Sequence, residues 1–129
     1  MSEAQPHELE IRQQIDAWAR AVENHDLDGA VAHHAPDVIM FDVPTLKLEG
    51  IEAFKQSWRE FFGWLGSEGT FRVGEDFAVT AGGDVAFCQG IMHCQGTGHA
   101  PLTFRLTVGL KRVEDQWTVT HEHHSVAVP

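Results

Sequence analysis

Asp42, His93, His121 and His123, with Gln89 as a hydrogen-bonding partner, are the side chains whose types and spacing could do proton chemistry. Asp42 lies in Phe41-Asp42-Val43-Pro44, where a lone carboxylate either closes an Asx turn at a strand end or works as a general base among apolar neighbours. Near the other end, His121-Glu122-His123-His124 has the His-x-His spacing that sets two imidazoles on one side of a strand. Such a pair could hold a metal with Asp42 adding a carboxylate, or could serve as acid–base partners without one. The absence of a thiolate cluster beside these histidines leads to the expectation that no metal or other cofactor is needed. His93 alone fits a core or rim histidine, and His33-His34 fits the end of a short helix, where positive charge suits the dipole.

The elements that must position these groups can be read from periodicity. Ile11, Ile15, Trp18, Ala19 and Val22 repeat at helical spacing behind Pro6, which predicts a long amphipathic first helix. Asp26 caps a short second helix through Leu27, Ala30 and Val31, expected to end near Ala35 because Pro36 disfavours helical geometry before it. Residues 37–42 read as a strand. Gly50 opens a third helix with Ile51, Phe54, Trp58, Phe61, Phe62 and Leu65 as a broad apolar stripe, and Gly66 ends it. From Thr70 the period changes to two, giving strands over 71–81, 85–97, 102–113 and 117–126. Helices followed by a meander predict an α+β fold, a single domain over residues 1–129 with its helices on one face of a curved, mainly antiparallel sheet.

A short loop around Glu114-Asp115 pairs Arg112 with Trp117, which sets Leu110 opposite Val119, Val108 opposite His121 and Leu106 opposite His123. His121 and His123 are then expected to face the helices. Carried back one strand, the alternation puts Val85, Phe87, Gln89, Ile91 and His93 inward, with Cys88, Gly90, Met92 and Cys94 outward; Val38, Met40 and Asp42 share a face of the first strand. Asp42, Gln89, His93, His121 and His123 would thus converge on an apolar interior, and buried polar groups that converge imply a hydrogen-bond network or a cavity.

The 129 residues carry 43% hydrophobic side chains and a formal net charge of -10, enough apolar volume for one core and an unfavourable charge for nucleic acid or anionic lipid. No stretch approaches the ~20 apolar residues of a membrane span, and Met1-Ser2-Glu3-Ala4 lacks the basic start of a signal peptide, so a cytoplasmic location is expected. Cys88 and Cys94, on one strand and ~20 Å apart at ~3.3 Å per residue, cannot pair and fit a reducing compartment.

Helix, short helix, strand, helix and meander, ending in Trp117-x-x-x-His121-x-His123-x-Ser125, resembles the SnoaL-like and ketosteroid-isomerase-like members of the nuclear transport factor 2 superfamily. The segment Ala21-Val22-Glu23-Asn24-His25-Asp26-Leu27-Asp28-Gly29-Ala30 follows the family's helix-to-helix pattern, and 117–125 is also similar to the oligomerising association domain of calcium/calmodulin-dependent kinases. The resemblance implies a cone-shaped fold, a pocket and a dimer. In ketosteroid isomerase an Asp moves a proton beside an oxyanion hole made by a Tyr and a protonated Asp. Asp42 matches that base, Trp18 matches the Tyr and offers an indole N–H, and the third position falls near Val108, which donates nothing.

Residues and resemblance together lead to an expected acid–base enzyme of isomerase, hydrolase or cyclase type, acting on a small apolar carbonyl or hydroxylated ring compound in an internal cavity. Asp42, His121 and His123 would be catalytic, and Trp18, Trp58, Gln89, His93, Phe104 and Val108 would contact the substrate. The other reading is a binding or oligomerisation module without turnover. A homodimer is expected through the outer sheet face, where Ala86, Cys88, Gly90, Met92, Thr103, Thr107, Gly109, Thr118 and Thr120 would be small or neutral.

Overall fold

A computed structural model describes residues 4–128. Helix α1 runs Ala4–Glu23 and buries Ile11, Ile15, Trp18, Ala19 and Val22, the stripe that the helical period marks out. Helix α2 is Leu27–Val31, started by the Asp26 side chain accepting a hydrogen bond from the Gly29 N–H at 3.1 Å. It stops before the expected Ala35 because Ala32 is already extended and His33 takes a φ of 59°, reversing the chain one turn ahead of Pro36. His34 is therefore the first residue of strand β1, His34–Phe41, rather than a helix end. After β2, Leu48–Glu49, helix α3 spans Ile51–Leu65 between Gly50 and Gly66, as the apolar stripe predicts.

Strands β3 (Thr70–Val73), β4 (Ala78–Ala81), β5 (Val85–Gln95), β6 (Leu102–Val113) and β7 (Gln116–Ser125) complete a seven-stranded sheet in the order β2-β1-β7-β6-β5-β3, with β4 also on β5. All neighbouring pairs are antiparallel except β1 with β7. The expected strand over 71–81 is split in two. Phe77 leaves the ladder between β3 and β4 and lies so close over Gly90 that a Cβ there would sit 2.6 Å from its ring.

Two register findings change which side chains face the helices. Strand β5 pairs Cys88 with Val108 and Met92 with Phe104, so Cys88, Met92 and Cys94 are buried with them, while Val85, Phe87, Gln89 and His93 are exposed. The sequence expectation for this strand is inverted because a shift of one residue exchanges every side chain between faces, and Phe87 and Ile91 are larger apolar groups than the Cys and Gly that actually lie inside. The last hairpin begins as expected, Arg112 with Trp117 and Leu110 with Val119. It then slips: Gly109 pairs with His121, leaving Thr120 as an extra residue in β7. Val108 consequently meets Glu122 and Leu106 meets His124. Glu122 and His124 face the helices; His121 and His123 turn to the outer face, edge-on to Phe41.

Deleting Thr120 restores simple alternation and sends Glu122 and His124 outward. The buried His34 would lose its carboxylate, a loss of at least about 3 kcal/mol, or about 10 °C in Tm. Thermal unfolding followed by circular dichroism checks this, and a variant melting within a degree or two of the parent would contradict the bulge.

Candidate functional site

The centre of the inner face is a carboxylate. Glu122 is 1% exposed, and each of its oxygens is held by a separate imidazole: Oε2 accepts from His34 Nε2 at 2.6 Å and Oε1 from His124 Nε2 at 2.8 Å. These three side chains come from the first residue of β1 and from the stretch of β7 past the bulge, which the parallel β1–β7 pairing brings side by side. The second nitrogen of His34, Nδ1, lies 2.9 Å from the Ala32 carbonyl. With acceptors at both nitrogens, the imidazolium is the form that satisfies His34 completely.

The electrostatics agree with that protonation. Burial opposes the Glu122 charge, yet the hydrogen bonds from His124 and His34 and the positive charge of His34 outweigh it and hold the carboxyl down at about 2. Burial likewise opposes charge on His34, but the bond to Glu122, its negative charge and the Ala32 and Val31 carbonyls raise the imidazole above its ordinary value. The thiols of Cys88 and Cys94 are pushed up by burial to about 12 and about 11, so neither is a poised nucleophile.

On the far side of His124 lies a cavity of about 760 Å³, walled by Trp58, Phe61, Phe71 and Phe104 and carrying Asp42. Phe104 stacks on the His124 ring at a centroid distance of 5.1 Å, with Trp58 at 6.2 Å. Because Nε2 is committed to Glu122, His124 presents Nδ1 to Asp42, with Oδ1 3.8 Å away. Asp42 follows β1, whose Val38 and Met40 are buried on the same side, so the Asp42 carboxylate reaches the cavity as the strand alternation predicts. Exposed Val43, Pro44, Thr45, Gln56 and Glu60 form the mouth.

A second hollow, a groove of about 610 Å³ between α1 and α2, is lined by Trp18, His34, Val108 and Glu122. The expected site residues are therefore divided. Asp42, Trp58 and Phe104 share the aromatic cavity. Trp18 and Val108 line the groove, with Trp18 forming the wall between the hollows through edge contacts to Trp58 and Phe71. Gln89, His93, His121 and His123 lie on the other face of the sheet. Sequence reasoning passed over Glu122, His124 and His34. The signal that could have found the first two is Gly109, since a glycine inside a strand often marks a bulge in its partner. Among the described residues, no three His, Cys, Asp or Glu side chains converge on a point where they could hold a metal ion.

This cone of helices on a curved sheet, with a cavity at one end, is the architecture of the nuclear transport factor 2 superfamily. A SnoaL-like domain model matches residues 11–129, and the chain belongs to that family. It is similar to a nuclear-transport-factor-2-like protein of unknown function from Pseudomonas putida KT2440, with 30% identity, coverage of 99% of this chain and 92% of that one, and a TM-score of 0.91. A ketosteroid-isomerase-like protein from Shewanella frigidimarina shares the fold at 19% identity, covering 88% and 92% of the two chains, with a TM-score of 0.75. So does a protein from Xanthomonas campestris of the calcium/calmodulin-dependent kinase II association-domain type, at 15% identity, 92% and 86% coverage and a TM-score of 0.76. No curated protein matches the chain.

The buried network has a pH signature. Glu122, held below the ordinary carboxyl range, contributes stability that is present above that range and lost as pH falls toward about 2. His34, raised above the ordinary imidazole value of 6.5, contributes stability that is full below 6.5 and lost as pH rises through the raised value. Both contributions are present together from roughly pH 5 to 6. Glu122→Gln should cost about 3 kcal/mol there and flatten both limbs of the Tm profile. A variant keeping the parent's pH dependence would show that Glu122 is not its source.

Proposed function

We propose that this protein is an acid–base enzyme for a small, mainly apolar carbonyl or hydroxylated ring compound, of isomerase, hydrolase or cyclase type. The observation carrying this reading is the placement of Asp42 and His124 3.8 Å apart in an aromatic cavity, with His124 fixed from behind by buried Glu122. With Nε2–H given to Glu122, His124 turns its Nδ1 lone pair toward the Asp42 carboxylate, so the cavity holds two proton acceptors side by side. Asp42 takes a proton from the ligand; that proton passes to Nδ1 of His124, which returns it to a neighbouring ligand atom and regains its lone pair. His124 thereby takes over the role expected of His121 and His123. Glu122 and His34 are positioning residues, setting tautomer and ring orientation. Trp58, whose indole N–H has no partner among the described residues, is a donor for a ligand oxygen.

The chain is taken as a single domain, cytoplasmic, working as a homodimer through the outer sheet face. That face exposes Phe41, Val85 and Phe87 beside Thr103, Thr107 and Gly109. The alternative, a ligand-binding or oligomerisation module without turnover, is favoured by Val108, which supplies no donor at the third expected catalytic position.

Asp42→Asn keeps the shape of the side chain and removes the base. It should melt within about 2 °C of the parent while slowing exchange of ketone α-hydrogens for solvent deuterium at least about 100-fold, measured by proton NMR over a panel of cyclic ketones. Binding without exchange across the panel would select the module reading. Light scattering should give twice the chain mass at micromolar concentration, and Phe87→Glu should halve it. A monomeric parent would remove the dimer.

A further inference from the structure

The polar groups of the cavity are unbalanced in charge. Among the described residues its lining includes the carboxylates of Asp42 and Glu60 and no Lys or Arg. The imidazole nearest the reacting end, His124, lies between Glu122 at 2.8 Å and Asp42 at 3.8 Å, so any positive charge it gains is already faced by two carboxylates. His34 is no help to a ligand, because Glu122 and Ala32 occupy both its nitrogens. Arg59 and Arg105 each donate to a lining residue, to Gln56 Oε1 and to the Val126 carbonyl; neither lines the cavity itself. Lys47 and Lys55 pair with Glu49 and Glu52.

An anionic group moved into such a space loses its hydration, gains no counter-ion and meets fixed negative charge among aromatic walls, where the Trp58 N–H is a single neutral donor. An uncharged ring loses little hydration and gains the contact with Trp58, Phe61, Phe71 and Phe104.

We propose that the cavity selects uncharged ring compounds and excludes those whose ring bears a carboxylate, sulfate or phosphate. Its ligand is a free neutral intermediate, and the reaction that supplies it leaves an uncharged product. At about 760 Å³ the space admits about two or three fused rings. This inference rests on the cavity being the ligand site, and it concerns binding, so it stands or falls separately from turnover.

The test compares two compounds of one shape, 2-naphthol and 2-naphthoate, near neutral pH by isothermal titration calorimetry, with the Trp58 indole resonance locating the bound ring. The naphthol should bind at least about tenfold more tightly. Asp42→Asn should narrow that ratio. So should Gln56→Lys, which places a cation at the exposed mouth and remains informative if the first variant fails to fold. Equal or tighter binding of the naphthoate overturns the proposal, as does a ratio untouched by both variants, or failure of 2-naphthol to move the Trp58 resonance at millimolar concentration. Absence of deuterium exchange with this binding series intact would count against the enzymatic reading alone.

Discussion

A carboxylate buried to 1% exposure constrains everything around it. An unpaired charge in Glu122's position would cost several kcal/mol, so the fold is obliged to bring two imidazoles to its two oxygens. That obligation explains features with little sense in isolation. The chain reverses at His33 so that β1 can begin with His34 beneath α2. Strand β7 runs parallel to β1, the sole parallel pairing among the described residues, and carries one extra residue at Thr120 so that Glu122 and His124 arrive on the inner side. The bulge is thus the local device that converts a Trp-x-Val inner face into a Glu-x-His inner face within one strand.

The network also divides the interior. Trp18, Trp58 and Phe71 pack edge to face at 5.2 to 6.1 Å and separate the α1–α2 groove from the aromatic cavity, while Glu122 touches the groove and His124 the cavity. Each oxygen of Glu122 holds one imidazole, and of the two only His124 also lines the cavity. The effect is to fix one nitrogen of that ring and leave the other available, which is the arrangement acid–base chemistry needs from a histidine.

Membership in the SnoaL-like family accounts for the cone and leaves the chemistry open, since relatives sharing the fold include an isomerase-like protein and an association-domain type. The chemistry rests on the polar groups this chain places inside: Glu122 in the core, with Asp42, reached from the end of β1, and His124, reached by the slip in β7, in the cavity.

The helices were legible in the sequence because each carries its own signal over a few turns: the i, i+4, i+7 stripe of α1, Asp26 before α2, and the glycines that bound α3. The strands were legible as period-two runs, and Asp42 as inward-facing, because Val38 and Met40 precede it without interruption. The face of β5 and of the second half of β7 was not legible. Alternation transmits a face only as far as the register is unbroken, and register is settled by pairing with distant strands: Cys88 against Val108, and Gly109 against His121 across the bulge. The sequence therefore determined that histidines and an acid would meet near the end of the last strand, and only the tertiary structure decided which. A single unpaired residue, Thr120, exchanges the His121–His123 pair for Glu122 and His124, and nothing local to Thr120 distinguishes a bulged strand from a regular one.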